Sequence, residues 1–200
     1  MSTESARERL LSAAARVYAE HGYAGTTTRR VAEAAGVNEV TLFRHFGTKD
    51  RLLAEAVQFH TGEMPVVALP DEPMNPLGEL AAWCGVHLAR LRETRGVLRR
   101  CLGDRDQLPN IDAPGEAGLD EAADELRAYV AALRAGGWIG AGLAEEPALA
   151  MLLSALMLDA FGREDFPRVF TTPPDEAARH YAATFLNALG ASASRKKASA

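Results

Sequence analysis

The chain has 200 residues, 48% of them hydrophobic, and a formal net charge of −5. That is enough apolar material for one small protein or two compact subdomains, and no uninterrupted apolar run reaches the roughly 18 residues that make a membrane-span candidate. The opening residues lack the apolar core of a secretory signal, and two cysteines, Cys84 and Cys101, are too few for a disulfide framework or a metal-ligand cluster, so a cytoplasmic protein with reduced thiols, no metal and no cofactor is expected.

In chain order, the periodicity predicts an all-α protein. A first helix runs from about Thr3 or Ser5 to His21, with Leu10, Leu11, Ala14, Val17 and Tyr18 on one stripe. Gly22 stops it, and Tyr23 is expected to plug a three-helix core. Thr27 or Thr28 caps a second helix whose apolar side is Val31, Ala32 and Ala35. Gly36 ends that helix, Asn38 caps a third over Glu39–Phe46, and Gly47 stops it. In the third helix Leu42 and Phe46 share a face and pack inward with Val37. Val40, Thr41, Phe43 and Arg44 point the other way, where thymine methyls, base edges and phosphates can use them. Two short helices joined by a glycine turn is the arrangement that sets a recognition helix in the DNA major groove. A fourth helix follows Thr48, carries Leu52, Leu53, Ala56 and Val57, and ends near His60 or Thr61. Lys49 lies in its first turn, against the helix dipole, where a DNA phosphate would compensate it.

Charge is unevenly spread. Residues 1–60 hold eight basic and seven acidic side chains, whereas the rest of the chain holds 14 and 20. Arg29, Arg30, Arg44, Lys49 and Arg51 cluster around the two-helix motif, and a local basic face matters more to phosphate than the global sum.

The clearest break is the run with Pro65, Pro70, Pro73 and Pro76, read as a linker over residues 62–76 between a DNA-binding domain (1–61) and a second domain (77–190). The second domain is predicted to hold a helix over 77–92, a short helix over 96–102 with Arg95, Arg99 and Arg100 outward, and a loop over 103–118. Helices over 119–135, 147–161 and 174–189 follow. The 147–161 helix is apolar nearly all round, with Pro147 in its first turn. Residues 191–200, with Arg195, Lys196 and Lys197, read as a disordered tail.

The first sixty residues resemble the DNA-binding domain of the TetR family of bacterial transcription regulators. The match runs through Arg9-Leu10-Leu11-Ser12-Ala13-Ala14, Tyr18, Gly22-Tyr23, Thr27-Thr28, Val31-Ala32, Ala35-Gly36-Val37, Thr41-Leu42-Phe43, His45-Phe46, Lys49 and Leu52-Leu53. One departure is Phe43, where many members carry a tyrosine whose hydroxyl reaches a phosphate; phenylalanine cannot donate that bond. The resemblance implies an N-terminal helix-turn-helix, a homodimer on a palindromic operator, and release of double-stranded DNA when a small effector binds.

On this reading Thr28 and Lys49 touch phosphates, Arg29, Thr41 and Arg44 read base edges, and Val40 and Phe43 make apolar contact, with Asn38, Glu39 and His45 as further candidates. Trp83, Cys84, His87, Tyr129, Trp138, Met151 and Met157 are the adaptable groups expected to line a pocket for a mostly apolar effector. Leu149, Leu153, Leu156, Tyr181, Phe185 and Leu189 are expected to form a four-helix dimer interface. Two rival readings stand beside this one. A helical scaffold without DNA binding leaves the basic cluster and the outward Thr41–Arg44 face unused. An enzyme would use Cys84 and His87 as a nucleophile pair, three apart on one helix face, but no acid or amide on that face orients the histidine.

Overall fold

The computed structural model describes residues 5–62, 67–104, 116–140 and 145–191. These residues hold helices α1 (Ala6–Gly25), α2 (Thr28–Ala35), α3 (Glu39–Phe46), α4 (Lys49–Gly62), α5 (Pro76–Gly103), α6 (Glu116–Ala135), α7 (Glu145–Gly162) and α8 (Ala177–Ala188), and no strand. Pro65, most of the expected 103–118 loop and the basic tail residues fall outside the described residues.

The four N-terminal helices follow their local signals. Ser5 caps α1 in a reciprocal box with Glu8: the Glu8 N–H donates to Ser5 Oγ at 3.2 Å and the Ser5 N–H to Glu8 Oε2 at 2.7 Å. Thr27 Oγ1 accepts from the Arg30 N–H, Asn38 Oδ1 from the Val40 N–H, and Thr48 Oγ1 from the Arg51 N–H. Gly36 is left-handed (φ 64°, ψ 35°), and the Val37 N–H reaches back to the Ala32 carbonyl at 3.0 Å, closing α2 in a Schellman turn. Gly22 breaks α1 as expected, but one more turn follows it to Gly25.

The chain forms two compact units, and the division falls inside α5, between Arg92 and Glu93. The sequence predicts two helices here, with Gly96 opening the second. The structure has one helix of 28 residues. A glycine in mid-helix costs about 1 kcal/mol, and at Gly96 the helix runs close to α1: a Cβ there would touch Ala19 Cβ at 3.4 Å. Val97 and Cys101 consequently join Leu10, Leu11, Val31, Leu42, Phe46 and Leu53 in the first core. The residues expected to open a second domain's short helix therefore belong to the first unit.

The second unit packs Leu80, Trp83, Leu88, Leu126, Leu133, Leu152, Leu156 and Phe185 into its own core. Part of the proline-rich stretch is tied to it. The Leu69 N–H donates to Glu125 Oε1 at 2.7 Å, and Trp138 Nε1 donates to the Pro73 carbonyl at 3.1 Å. A buried carboxylate, Asp159 of α7, accepts from Arg92 Nη2 at 2.9 Å, Tyr181 Oη at 2.7 Å and Arg163 Nε at 3.0 Å.

Candidate nucleic-acid interface

The outward face of α3 is apolar and basic together. Leu42 and Phe46 are buried, while Val40 is 64% and Phe43 47% exposed. Arg44 is exposed, and Val40, Phe43 and Arg44 sit at i, i+3 and i+4, so they share one face. Thr41 is half-buried beside them and His45 is exposed. Exposed valine and phenylalanine on a two-turn helix gain nothing from water, and base edges with thymine methyls are surfaces that would use them.

The basic residues around this face are unequal. Arg29 pairs with Glu33 at 2.9 Å and Arg51 with Glu55 at 2.8 Å, both along their own helices. Arg30 Nη1 donates to the Gly25 carbonyl at 2.5 Å. Arg44, by contrast, has no partner among the described residues.

Three expected DNA contacts are engaged inside the protein. Thr28 Oγ1 donates to Glu39 Oε1 at 2.5 Å, so these two candidates join α2 to α3 instead of facing outward. Lys49 is no free surface ammonium either. Its Nζ donates to the Tyr23 carbonyl at 2.5 Å and lies 3.6 Å from the centre of the Tyr23 ring. Burial lowers its pKa, against the smaller opposing pull of Asp50 and Asp104. The anionic partner that its helix position calls for is supplied in part by the protein. Asn38 does what a cap does, with its side chain on the Val40 N–H at 2.9 Å.

Geometry argues against the Cys84–His87 nucleophile pair. His87 Nδ1 bonds the Trp83 carbonyl oxygen at 2.9 Å and its ring stacks on Trp83 at 3.7 Å. Cys84 is fully buried, and that burial pushes its thiol up to about 12. A thiol held protonated at neutral pH is a poor nucleophile. Among the described residues no three His, Cys, Asp or Glu side chains group to hold a metal ion, and no helix is long and apolar enough to cross a membrane.

The expected effector-lining residues divide. Trp83, Cys84 and Tyr129 are core. The polar tips of the two aromatics already have partners: Trp83 Nε1 donates to Glu125 Oε2 at 2.8 Å and Tyr129 Oη to Glu79 Oε2 at 2.6 Å. Met157 and His87 are half-buried. Met151 is 68% exposed and faces away from the core, so it cannot line an interior pocket. Trp138 flanks a groove of about 410 Å³, with Met74, Leu77 and Leu186 on its walls.

The expected dimer residues divide, with Leu153 and Tyr181 half-buried and the others buried in the single chain. Leu149, Leu156, Phe185 and Leu189 are at most 3% exposed in the single chain, so they have no surface left to give a partner. Tyr181 is tied to Asp159, and Leu153 packs against the core. The large apolar side chains that α7 presents outward are Met151 and Leu158, the latter 51% exposed.

The pattern of residues 10–56 matches the model of bacterial regulatory proteins, tetR family. Residues 10–56 are thus similar to the DNA-binding domain of that family. The TetR-type domain is 46% identical over 48 residues to the helix-turn-helix transcriptional repressor AcnR of Corynebacterium efficiens, which is 24% of this chain and 26% of that protein. Over 95 residues it is 30% identical to a helix-turn-helix-type repressor of Mycobacterium tuberculosis, 44% of this chain and 51% of the other. The chain thus matches between a quarter and a half of the length of these relatives. Solved structures extend the likeness in fold to the whole chain. A transcriptional regulator from Rhodococcus sp. Rha1 superposes with a TM-score of 0.70 at 25% identity, covering 94% of this chain and 98% of that one. The TetR-family regulator PfmR from Thermus thermophilus superposes at 0.67 and 24% identity, covering 90% and 97%.

Beside this interface, sequence reasoning missed the roles of Tyr23, Arg100 and Asp104. Arg100 is not simply outward: its Nε donates to the Ala19 carbonyl at 3.2 Å and its Nη2 to the Glu20 carbonyl at 3.3 Å. Asp104 Oδ2 accepts from the Tyr23 N–H at 2.8 Å. No local pattern signals pairings that lie some eighty residues apart.

Proposed function

We propose that the chain is a dimeric DNA-binding transcription regulator, a repressor acting in the cytoplasm at a palindromic operator and released by a small, mostly apolar effector. The observation that carries this reading is the α3 face, where exposed Val40 and Phe43 stand beside an Arg44 that has no partner among the described residues. Arg44 is the base-edge reader, Val40, Phe43 and Thr41 supply apolar and hydroxyl contacts, and His45 lies at the edge of the same face. Thr28 and Glu39 act mainly by fixing α2 to α3, and Arg29 reaches DNA by leaving its solvent-exposed pair with Glu33. A two-fold dimer sets the two recognition helices about 34–36 Å apart, or a multiple of it. The groove beside Trp138 is the effector space, since about 410 Å³ with mostly apolar walls, broken by Asn75 and Asn187, lies in the range of small-molecule sites.

Selection of bound duplexes from a random pool, with fluorescence anisotropy on the selected site, tests the proposal. Arg44→Ala is expected to weaken binding by about 1–3 kcal/mol and relax the preference at one position per half-site. Unchanged affinity and unchanged preference in that variant would reject the groove assignment. For the effector, apolar compounds are expected to raise the melting temperature by mass action and to release DNA by favouring a form of the dimer that does not fit the operator. Release by sugar phosphates alone would reject an apolar effector.

A further inference from the structure

At Gly22 the backbone takes φ 66° and ψ −176°, a conformation that is essentially glycine's alone. The turn interrupts α1, and around it the Tyr23 N–H and the carbonyls of Ala19 and Glu20 take partners from outside the helix. The C-terminal end of α5 and the residue after it supply all three. Arg100 donates to both carbonyls and Asp104 accepts from the Tyr23 N–H. Arg100 and Asp104 are four apart, so they lie on one face of the chain's path and act as a cap delivered from a distant segment.

Tyr23 passes this restraint onward. Its carbonyl accepts from Lys49 Nζ at 2.5 Å, its ring lies 3.6 Å from that ammonium, and its hydroxyl donates to Asp50 Oδ1 at 2.7 Å. Both partners open α4. An ammonium has three donors, and the Tyr23 carbonyl takes one. A lysine already held in place loses less side-chain freedom on meeting a phosphate than a freely rotating one.

We propose that Arg100 and Asp104 are positioning residues for DNA binding: they cap the break in α1 and so hold Tyr23, and Tyr23 holds the Lys49 ammonium ready for a backbone phosphate. This inference rests on the DNA-binding reading above. It makes a prediction that runs against simple electrostatics. Removing the negative charge of Asp104 should tighten binding to a polyanion if charge alone matters. Positioning requires the opposite.

The test measures the affinity of the full chain for the selected duplex from about 50 to 300 mM salt, a range over which phosphate contacts are read from the slope, for wild type, Lys49→Ala, Asp104→Ala, Asp104→Asn and the Lys49→Ala/Asp104→Ala double variant. Lys49→Ala is expected to weaken all sequences alike and lower the salt slope by about one. Asp104→Ala is expected to lower affinity and slope in the same way, with no further loss in the double variant. Asp104→Asn, which removes the charge but keeps an oxygen for the Tyr23 N–H, is expected to restore the slope. Should Asp104→Ala lose its melting transition, Arg100→Gln is the milder change at the same cap and is expected to show the same loss of slope. Wild-type slope in a folded Asp104→Ala or Arg100→Gln protein, or additive losses in the double variant, would overturn the proposal. An unchanged slope in Lys49→Ala, with Arg44→Ala still impaired, overturns it too but leaves the recognition helix standing. Absence of any duplex binding by wild type removes the DNA-binding reading itself.

Discussion

Met151→Glu combined with Leu158→Glu is expected to give a folded chain that sediments as a monomer and no longer holds its operator tightly. The two positions are seven apart on α7, two turns along one face, and are 68% and 51% exposed. Carboxylates there stay in water in the single chain, so the core has no reason to unfold. Brought together across a two-fold axis, four new negative charges would face one another in an apolar seam, where like charges oppose association. A single half-site contact leaves little beyond non-specific affinity, about 10⁻⁴–10⁻⁶ M against 10⁻⁸–10⁻¹¹ M for typical specific complexes. Sedimentation and anisotropy on the same samples check both outcomes. A double variant that stays dimeric, or a wild-type chain that is monomeric at micromolar concentration, removes α7 as the interface. Phe185→Glu makes the contrast plain: at 3% exposure it is a core residue, and its replacement should unfold the chain rather than split a dimer.

The largest stability effect is expected at Asp159. The side chain is fully buried, and its oxygens accept from Arg92, Arg163 and Tyr181. Arg163 also donates to the carbonyls of Phe170 and Thr172, so the carboxylate organises the segment between α7 and α8. Asp159→Ala leaves Arg92 and Arg163 without their anion, and breaking one side of a buried ion pair costs about 3–5 kcal/mol. Urea titration at neutral pH reads this as a lower midpoint with an unchanged slope. Burial works to raise the Asp159 pKa, but the bonds from Arg163, Arg92 and Tyr181 outweigh it and hold the carboxyl below its ordinary value of 3.8. A carboxylate whose pKa is depressed in the folded state stabilises the protein above the unfolded value. That contribution fades as pH falls below 3.8 toward the folded value. The gap between wild type and Asp159→Ala should therefore be full at neutral pH and narrow on acidification below the ordinary carboxyl value. A gap that stayed constant to the lowest pH at which wild type folds would show that the ion pairs are not the source of the loss.

Residues close in sequence settled most of the first unit. Thr27, Gly36, Asn38 and Gly47 act through bonds and dihedrals within a few positions, so their roles are local chemistry. The outward set Val40, Phe43 and Arg44 follows from helical spacing once Leu42 and Phe46 are placed inward. Spacing could not say which polar groups on that surface remain available. Thr28 meets Glu39 across the turn, and Lys49 meets a carbonyl 26 residues earlier.

In α7 the difficulty was different. Leu149, Met151, Leu152, Leu153, Leu156, Met157 and Leu158 cover nearly every direction of the helix, so periodicity marks no inward side. Only packing against α8 and the core of the second unit decided that Leu149 and Leu156 turn in while Met151 and Leu158 turn out. Asp159 reads in sequence as a polar position with an arginine four residues on; Arg92 and Tyr181, from distant parts of the chain, join Arg163 in making it a buried anchor. Gly96 reads as a breaker, yet α5 runs unbroken through it, with Val97 and Cys101 packed into the first core. Caps, turns and helix faces are decided within a turn or two of backbone. Which face of α7 is buried, and which polar groups find partners beyond their own helix turn, depends on contacts between residues tens of positions apart, and those exist only once the chain has folded.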